Sequence, residues 1–186
     1  MWEKKEIPFI VFIDKEDKLE IKPTYLMDNE HTTFPDRHFH TIFYDPPHTW
    51  GGGVHFFSFP NREARQKVFP HSSGVPTYYG WDKYKTKTEL LAHIYRAQRE
   101  FYRILTDDGL LWFKWNEMSI KVDRVLACFP LWQELMRLYV NDPTHTAGFQ
   151  QTFWILMCKQ KGEFEQKTLL DSPLLEQVSE LELNAT

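Results

Sequence analysis

Three short apolar runs, each closed by an acid, constrain this chain more than any other feature. Phe9-Ile10-Val11-Phe12-Ile13 stops at Asp14, Tyr25-Leu26-Met27 at Asp28-Asn29, and Thr41-Ile42-Phe43-Tyr44 at Asp45-Pro46-Pro47. Continuous β-branched and aromatic runs of this length predict strands buried on both faces of a parallel sheet, with turn chemistry at their ends. From about Thr86 to Leu105 the spacing of Leu90, Leu91, Ile94, Tyr95, Phe101 and Leu105 changes to that of an amphipathic helix, closed by Asp107-Asp108-Gly109. Leu110 to Phe113 predicts a further buried strand, residues 120–128 a short helix, and the runs near Leu135 to Val140 and Thr152 to Cys158 a closing antiparallel hairpin. Strands alternating with helices give an open, mostly parallel α/β sheet, whose ligands bind outside the carboxyl ends of the strands. Asp14, Asp28 and Asp45 are expected together at that edge.

With 42% hydrophobic and 16% aromatic residues, 186 residues bury a core sized for one domain. A net charge of −4 removes any global attraction to a polyanion, so nucleic-acid contacts must be local. Lys83, Lys85, Lys87, Arg96, Arg99 and Arg103, interleaved with Trp81, Tyr84 and Tyr95, form the one basic stretch suited to a nucleic-acid backbone, or equally a solvated helix face. Cys128 and Cys158 have no CxxC spacing, which suits a reducing compartment. No apolar run is long enough to span a bilayer and residues 1–6 do not open a signal peptide, so a cytoplasmic protein without membrane association is expected. Eight histidines invite a metal, but only His38 and His40 lie close together, and no metal site is expected. Residues 51–80, rich in Gly, Pro, Ser and His and including Gly51-Gly52-Gly53, predict a long loop, functional or disordered, in which Phe56, Phe57 and Phe59 read as core or anchoring residues ahead of a stacking surface. Ser72-Ser73-Gly74 lacks the strand-turn-helix setting of a nucleophile elbow.

Asp45-Pro46-Pro47-His48, directly after the Thr41 to Tyr44 run, resembles the strand-end signature of amino methyltransferases, and that resemblance implies the following chemistry. An exocyclic amine on a nucleic-acid base is a poor nucleophile, because its lone pair is delocalised into the ring. Acceptors must hold its hydrogens while the nitrogen turns toward an electrophile. A carboxylate at Asp45 and the carbonyl of Pro46, on a loop stiffened by proline, are suitable acceptors. Taken alone, the same four residues are equally a turn.

Their surroundings resemble those of class I S-adenosylmethionine-dependent methyltransferases acting on exocyclic amines. Phe34-Pro35-Asp36 and Phe39 precede the strand, and Thr106 to Trp115 resembles the family's next strand, with its glycine turn and Lys-Trp end. Asp45 to His48, Phe113-Lys114-Trp115, Thr144-His145 and Phe153 to Lys159 follow the order found in small phage- or prophage-borne methyltransferase-like proteins. The resemblance covers residues 1–160 and leaves 161–186 as an acidic C-terminal tail or peripheral helix. It implies a Rossmann-like α/β sheet lacking the first strand and its glycine loop, since only the later part of the family's opening has counterparts here, in Met1-Trp2 and Phe9 to Asp14. It also implies methyl transfer from S-adenosyl-L-methionine to a nucleic-acid amine, adenine N6 in DNA ahead of RNA. The implied catalytic residues are Asp45, Pro46, Pro47 and His48, with His48 stacking on the extracted base. Asp14, Asp28 and Asn29 hold the cofactor, and Lys114, Trp115 and His145 the substrate. With the cofactor loop lacking, weak binding of the cofactor to this chain is expected. The alternative is a non-catalytic binding module, or a subunit completed by a partner or by a second copy.

Overall fold

A computed structural model of the protein describes residues 9–16, 19, 22–50, 83–117, 119–140 and 152–160. The chain is α/β. Strands β1 (Ile13–Asp14) and β2 (Tyr25–Leu26) form a parallel pair, Ile13 opposite Tyr25 and Asp14 opposite Leu26. Strands β3 (Phe39–Tyr44), β4 (Leu105–Asn116), β5 (Trp132–Val140) and β6 (Thr152–Lys159) form a mixed sheet in the order β3-β4-β6-β5. Helices α1 (Lys87–Ile104) and α2 (Val122–Leu126) complete the described elements.

Helix α1 starts where capping chemistry starts it. Thr86 Oγ1 accepts from the Glu89 backbone N–H at 3.1 Å, and the Glu89 carboxylate reaches back to the Lys85 N–H at 2.6 Å. The apolar stripe Leu90, Leu91, Ile94, Ala97, Phe101 and Ile104 is buried. It packs into one core with alternate residues of the sheet, Tyr44, Leu111, Phe113, Trp115, Ile155 and Met157. Tyr44 meets Phe101 edge to face at 4.7 Å, and Phe113 meets Phe129, just after α2, at 4.7 Å. Since α1 joins the parallel strands β3 and β4, it is a crossover helix covering one face of the sheet. The other residues of β4 (Leu110, Trp112, Lys114 and Asn116) are only half-buried on the opposite face.

The hairpin forms as the apolar runs predict, β5 starting at Trp132 and pairing antiparallel with β6. Its second strand is the one that joins β4, also antiparallel, so the four-stranded sheet is mixed rather than mostly parallel.

Two expectations need correction. The first run is not a long strand buried on both faces. Only Ile13 and Asp14 pair, and Phe9 is fully exposed with a φ of 81°. An apolar run becomes a buried strand only between two neighbours, and among the described residues β1 has one. Nor does Asp107-Asp108-Gly109 break the chain after the helix. Leu105 already lies in β4, whose register with β3 jumps from Phe39 opposite Leu105 to Thr41 opposite Leu110. The turn residues are absorbed as a bulge. Gly109 is required there, because a Cβ would sit 2.4 Å from Leu105 Cγ. The tail, 161–186, and the loop, 51–80, lie outside the described residues.

Candidate functional site

Asp45 leaves the carboxyl end of β3 with both carboxylate oxygens engaged. Register places Tyr44 opposite Phe113, so Lys114, one residue further along β4, lies beside Asp45, and its Nζ donates to Oδ2 at 2.7 Å. His48 Nε2 lies 3.3 Å from Oδ1, closing the motif on itself. Burial opposes ionisation of Asp45, but the His48 and Lys114 hydrogen bonds outweigh it and hold the carboxyl below its ordinary value. The side chain stays 48% exposed. A carboxylate offers about four lone-pair sites, so two internal bonds leave room for a further donor. Pro46 is buried, and the loop beyond is pinned by a 2.6 Å hydrogen bond between the buried Thr49 hydroxyl and Ser119.

Two implied roles do not fit these positions. His48 is not presented as a stacking plane. Its ring is 13% exposed and lies 5.2 Å from the Trp115 ring at 86° to it. The imidazole is small enough to fold back between Asp45 and the core, where a larger ring at that position would stand out. Trp115 is not a substrate contact either: it is fully buried, stacks on Phe113 at 5.9 Å, and donates its Nε1–H to the Ile120 carbonyl at 2.9 Å. Period 2 in β4 sends Phe113 and Trp115 to the core and Lys114 to the open face. Lys114 is thus a partner of Asp45, and its Nζ also lies 5.9 Å from the Trp154 ring. His145 lies outside the described residues.

Asp14 and Asp28 belong to the β1–β2 pair, a sheet separate from the one that carries Asp45. Asp14 accepts from the Glu16 N–H at 2.8 Å, while Asp28 accepts from the Glu30 N–H at 3.0 Å and pairs with Lys15 at 2.5 Å. Asn29 Oδ1 and the Tyr44 hydroxyl are buried beside each other, and the Asn29 side chain interacts with the phenol that burial otherwise pushes up. Asp14 is tied to Asp28 through Lys15, and Asn29 to the end of β3 through Tyr44. The half-exposed Asp14 and Asp28 carboxylates are suited to hydroxyl or amine donors. No glycine turn cradles this region among the described residues.

One cluster has no counterpart in the motif reading. Glu30, 12% exposed, faces His93 Nδ1 and accepts from Arg96 Nε at 2.8 Å. Burial opposes its ionisation, yet the His93 and Arg96 bonds prevail and pull the carboxyl down to about 2. Burial pushes the neighbouring Tyr84 phenol up, helped by Glu30 and Asp28. Because the folded pKa of Glu30 lies below its unfolded value, its stabilisation is complete above about pH 4.5 and is lost as pH falls through about 2. Urea midpoints for the wild type and Glu30→Gln should therefore converge as pH is lowered through that window. Parallel curves would remove Glu30 as the acid-sensitive tie. Arg103 is likewise committed, to Asp36 and Glu100 at 2.6 Å each, so Arg96 and Arg103 of the basic stretch serve the fold.

Among the described residues, no group of three His, Cys, Asp or Glu is placed to hold a metal ion, and no helix is long and apolar enough to cross a membrane. No protein-family model matches the chain, and no curated protein matches its sequence.

Proposed function

We propose that the protein transfers a methyl group from S-adenosyl-L-methionine to an exocyclic amine of a nucleic-acid base, adenine N6 in DNA ahead of RNA, on a Rossmann-like sheet. One observation carries this reading: the half-exposed carboxylate of Asp45 sits at the carboxyl end of a parallel strand, held by Lys114 and His48 and followed by two prolines. That is the place where an open α/β sheet binds ligands. The pairing supports it. In the doubly wound order 3-2-1-4-5, β1 with β2 would correspond to its strands 2 and 3 and β3 with β4 to its strands 4 and 5, leaving its strand 1 between the two pairs.

When bound, the cofactor would supply an electrophilic methyl group and leave as S-adenosyl-L-homocysteine, the amine giving up one proton. Asp45 accepts one hydrogen of the target amine and the Pro46 carbonyl the other, turning the nitrogen's lone pair out of conjugation. Lys114 and His48 fix the carboxylate so that no reorganisation is needed when positive charge develops on the nitrogen. Asp14, Asp28 and Asn29 would hold the nucleoside part of the donor.

A second reading has its own support. Asp14 and Asp28 already accept bonds from within the chain, and no glycine cradle accompanies them among the described residues. This suits a non-catalytic binding module, or a subunit completed by a partner. The test is transfer of label from radiolabelled S-adenosyl-L-methionine to single- and double-stranded DNA and RNA, including any residues encoded ahead of Met1. Label on adenine is the expected result. Nucleic-acid binding without transfer to any acceptor would put the second reading in its place.

A further inference from the structure

The β1–β2 pair and the four-stranded sheet share no strand pairing among the described residues, yet Asp28 and Asn29 must keep a fixed relation to Asp45 if they serve one reaction. Helix α1 meets both parts. Its apolar stripe packs on the four-stranded sheet, where Phe101 touches Tyr44, the residue before Asp45. A second, polar stripe of His93, Arg96, Glu100 and Arg103 runs at i, i+3, i+7 and i+10, one line along the helix. The chain that follows β2 lies along it, Glu30 on His93 and Arg96, Thr32 on Glu100, and Asp36 on Arg103.

We propose that Glu30 is a positioning residue for the donor half-site: clamped between His93 and Arg96, its carboxylate fixes the 28–31 turn on α1 and so presents Asp28 and Asn29 to the donor's nucleoside. The inference rests on the methyl-transfer reading for the identity of that ligand. The turn is held as one piece. The Glu30 N–H donates to Asp28 Oδ1 at 3.0 Å, and the His31 N–H to the Asp28 carbonyl at 3.3 Å. The Glu30 backbone therefore orients the Asp28 carboxylate, and the Glu30 side chain anchors that backbone. Asn29 lies between the two, with its side chain against the Tyr44 phenol.

The clamp has the chemistry of a locator. Arg96 donates from Nε to Oε2 at 2.8 Å and from Nη2 to Oε1 at 3.3 Å, and His93 Nδ1 meets Oε1 as well. Three directed donors fix the rotation of the carboxylate as well as its place, which apolar contact does not do. Glu30 is 12% exposed and His93 5%, so water competes poorly for these bonds. The Tyr84 ring, 5.1 Å from that of His93, closes the clamp on a further side. Buried charges of this kind add little net stability over apolar packing, and their distinct contribution is to select one arrangement.

Glu30→Gln in the full chain should raise the KM for S-adenosyl-L-methionine by about tenfold while kcat and the nucleic-acid KM stay within about twofold. In an Asp28→Asn background the same substitution should add little, because Glu30 acts through Asp28. Hydrogen exchange of the protein without ligand gives a readout that needs no activity. The amides of residues 27, 30 and 31 should exchange about tenfold faster in Glu30→Gln, beyond any change at Leu111 and Phe113 of β4. Arg96→Met, which removes two of the three donors and leaves Glu30 in place, should move both readouts the same way. A donor KM unmoved, a full further rise in the Asp28→Asn background, or equal acceleration of the turn and of β4 would each overturn the proposal, the last by making the clamp a source of overall stability alone. A wild type that transfers no methyl group but shows the local acceleration in Glu30→Gln would end the methyl-transfer reading and leave the placement of the turn by Glu30 standing.

Discussion

Replacing Asp45 by alanine is expected to lower methyl transfer by on the order of 10²–10³, the usual cost of losing one preorganised group aimed at the reacting atoms. The fold should barely notice. Asp45 is half-exposed and its ion pair with Lys114 is open to solvent. Pairs of that kind contribute about 0–1 kcal/mol. Asp45→Asn should fall between the two, because it keeps an acceptor oxygen but loses the charge that Lys114 and His48 hold. A pH profile adds an independent readout. His48 and Lys114, working against burial, hold the Asp45 carboxyl below its ordinary value, so the rate should persist to lower pH than an unassisted aspartate would allow. Lys114→Met should move that acid limb upward. An Asp45→Ala protein with full transfer activity and an unchanged Tm would end the proposed role.

The second large effect belongs to Trp115 and falls on stability. Its ring is fully buried against Phe113 and, at right angles, His48, and its indole N–H is held by the Ile120 carbonyl. Trp115→Ala should cost about 3–5 kcal/mol, the range for removing a large aromatic from a core. For a domain whose total stability is about 5–15 kcal/mol, that is enough to bring unfolding near ambient temperature. Trp115→Phe should cost less, since it restores most of the volume and leaves only the Ile120 carbonyl unpaired. Urea denaturation measures both. A substrate-stacking tryptophan would give the opposite pattern, lost nucleic-acid binding with an intact midpoint, and that outcome would return Trp115 to the site.

Why Trp115 invites that reading, and why the structure denies it, illustrates where sequence is informative. Helix α1 was legible because Leu90, Leu91, Ile94 and Phe101 repeat at helical spacing, a local signal. The hairpin was legible for the same reason. Phe113-Lys114-Trp115 could be identified as a strand end, but which residue faces the core depends on where helices pack, and that is decided by distant residues. Lys114 meets Asp45 only because β3 and β4 pair in one register. The bulge at Asp107 to Gly109 resembled a stop because Asp and Gly are turn formers, and only the pairing of Leu105 with Phe39 shows the strand already under way. Glu30 was missed although His93 and Arg96 stand three apart on one helix, a spacing that can clamp an acid. The acid comes from a turn 63 residues before His93 in the chain, and nothing local marks it.

The placement of β6 between β4 and β5 carries a kinetic implication. Strands β5 and β6 are separated only by residues 141–151, whereas β3 and β4 must be joined across residues 45–104. Each doubling of a loop adds about 0.6 kcal/mol to the entropy of closing it, so the hairpin is the cheaper pairing to form first. Once formed, it meets β4 with its sequence-distal strand, and β5 gains no contact with β4 whatever the order of events. The β5–β6 hairpin is therefore able to assemble early and dock as a unit. Its docking is made along the β4–β6 seam, where Phe113 faces Ile155 and Trp112 faces Leu156.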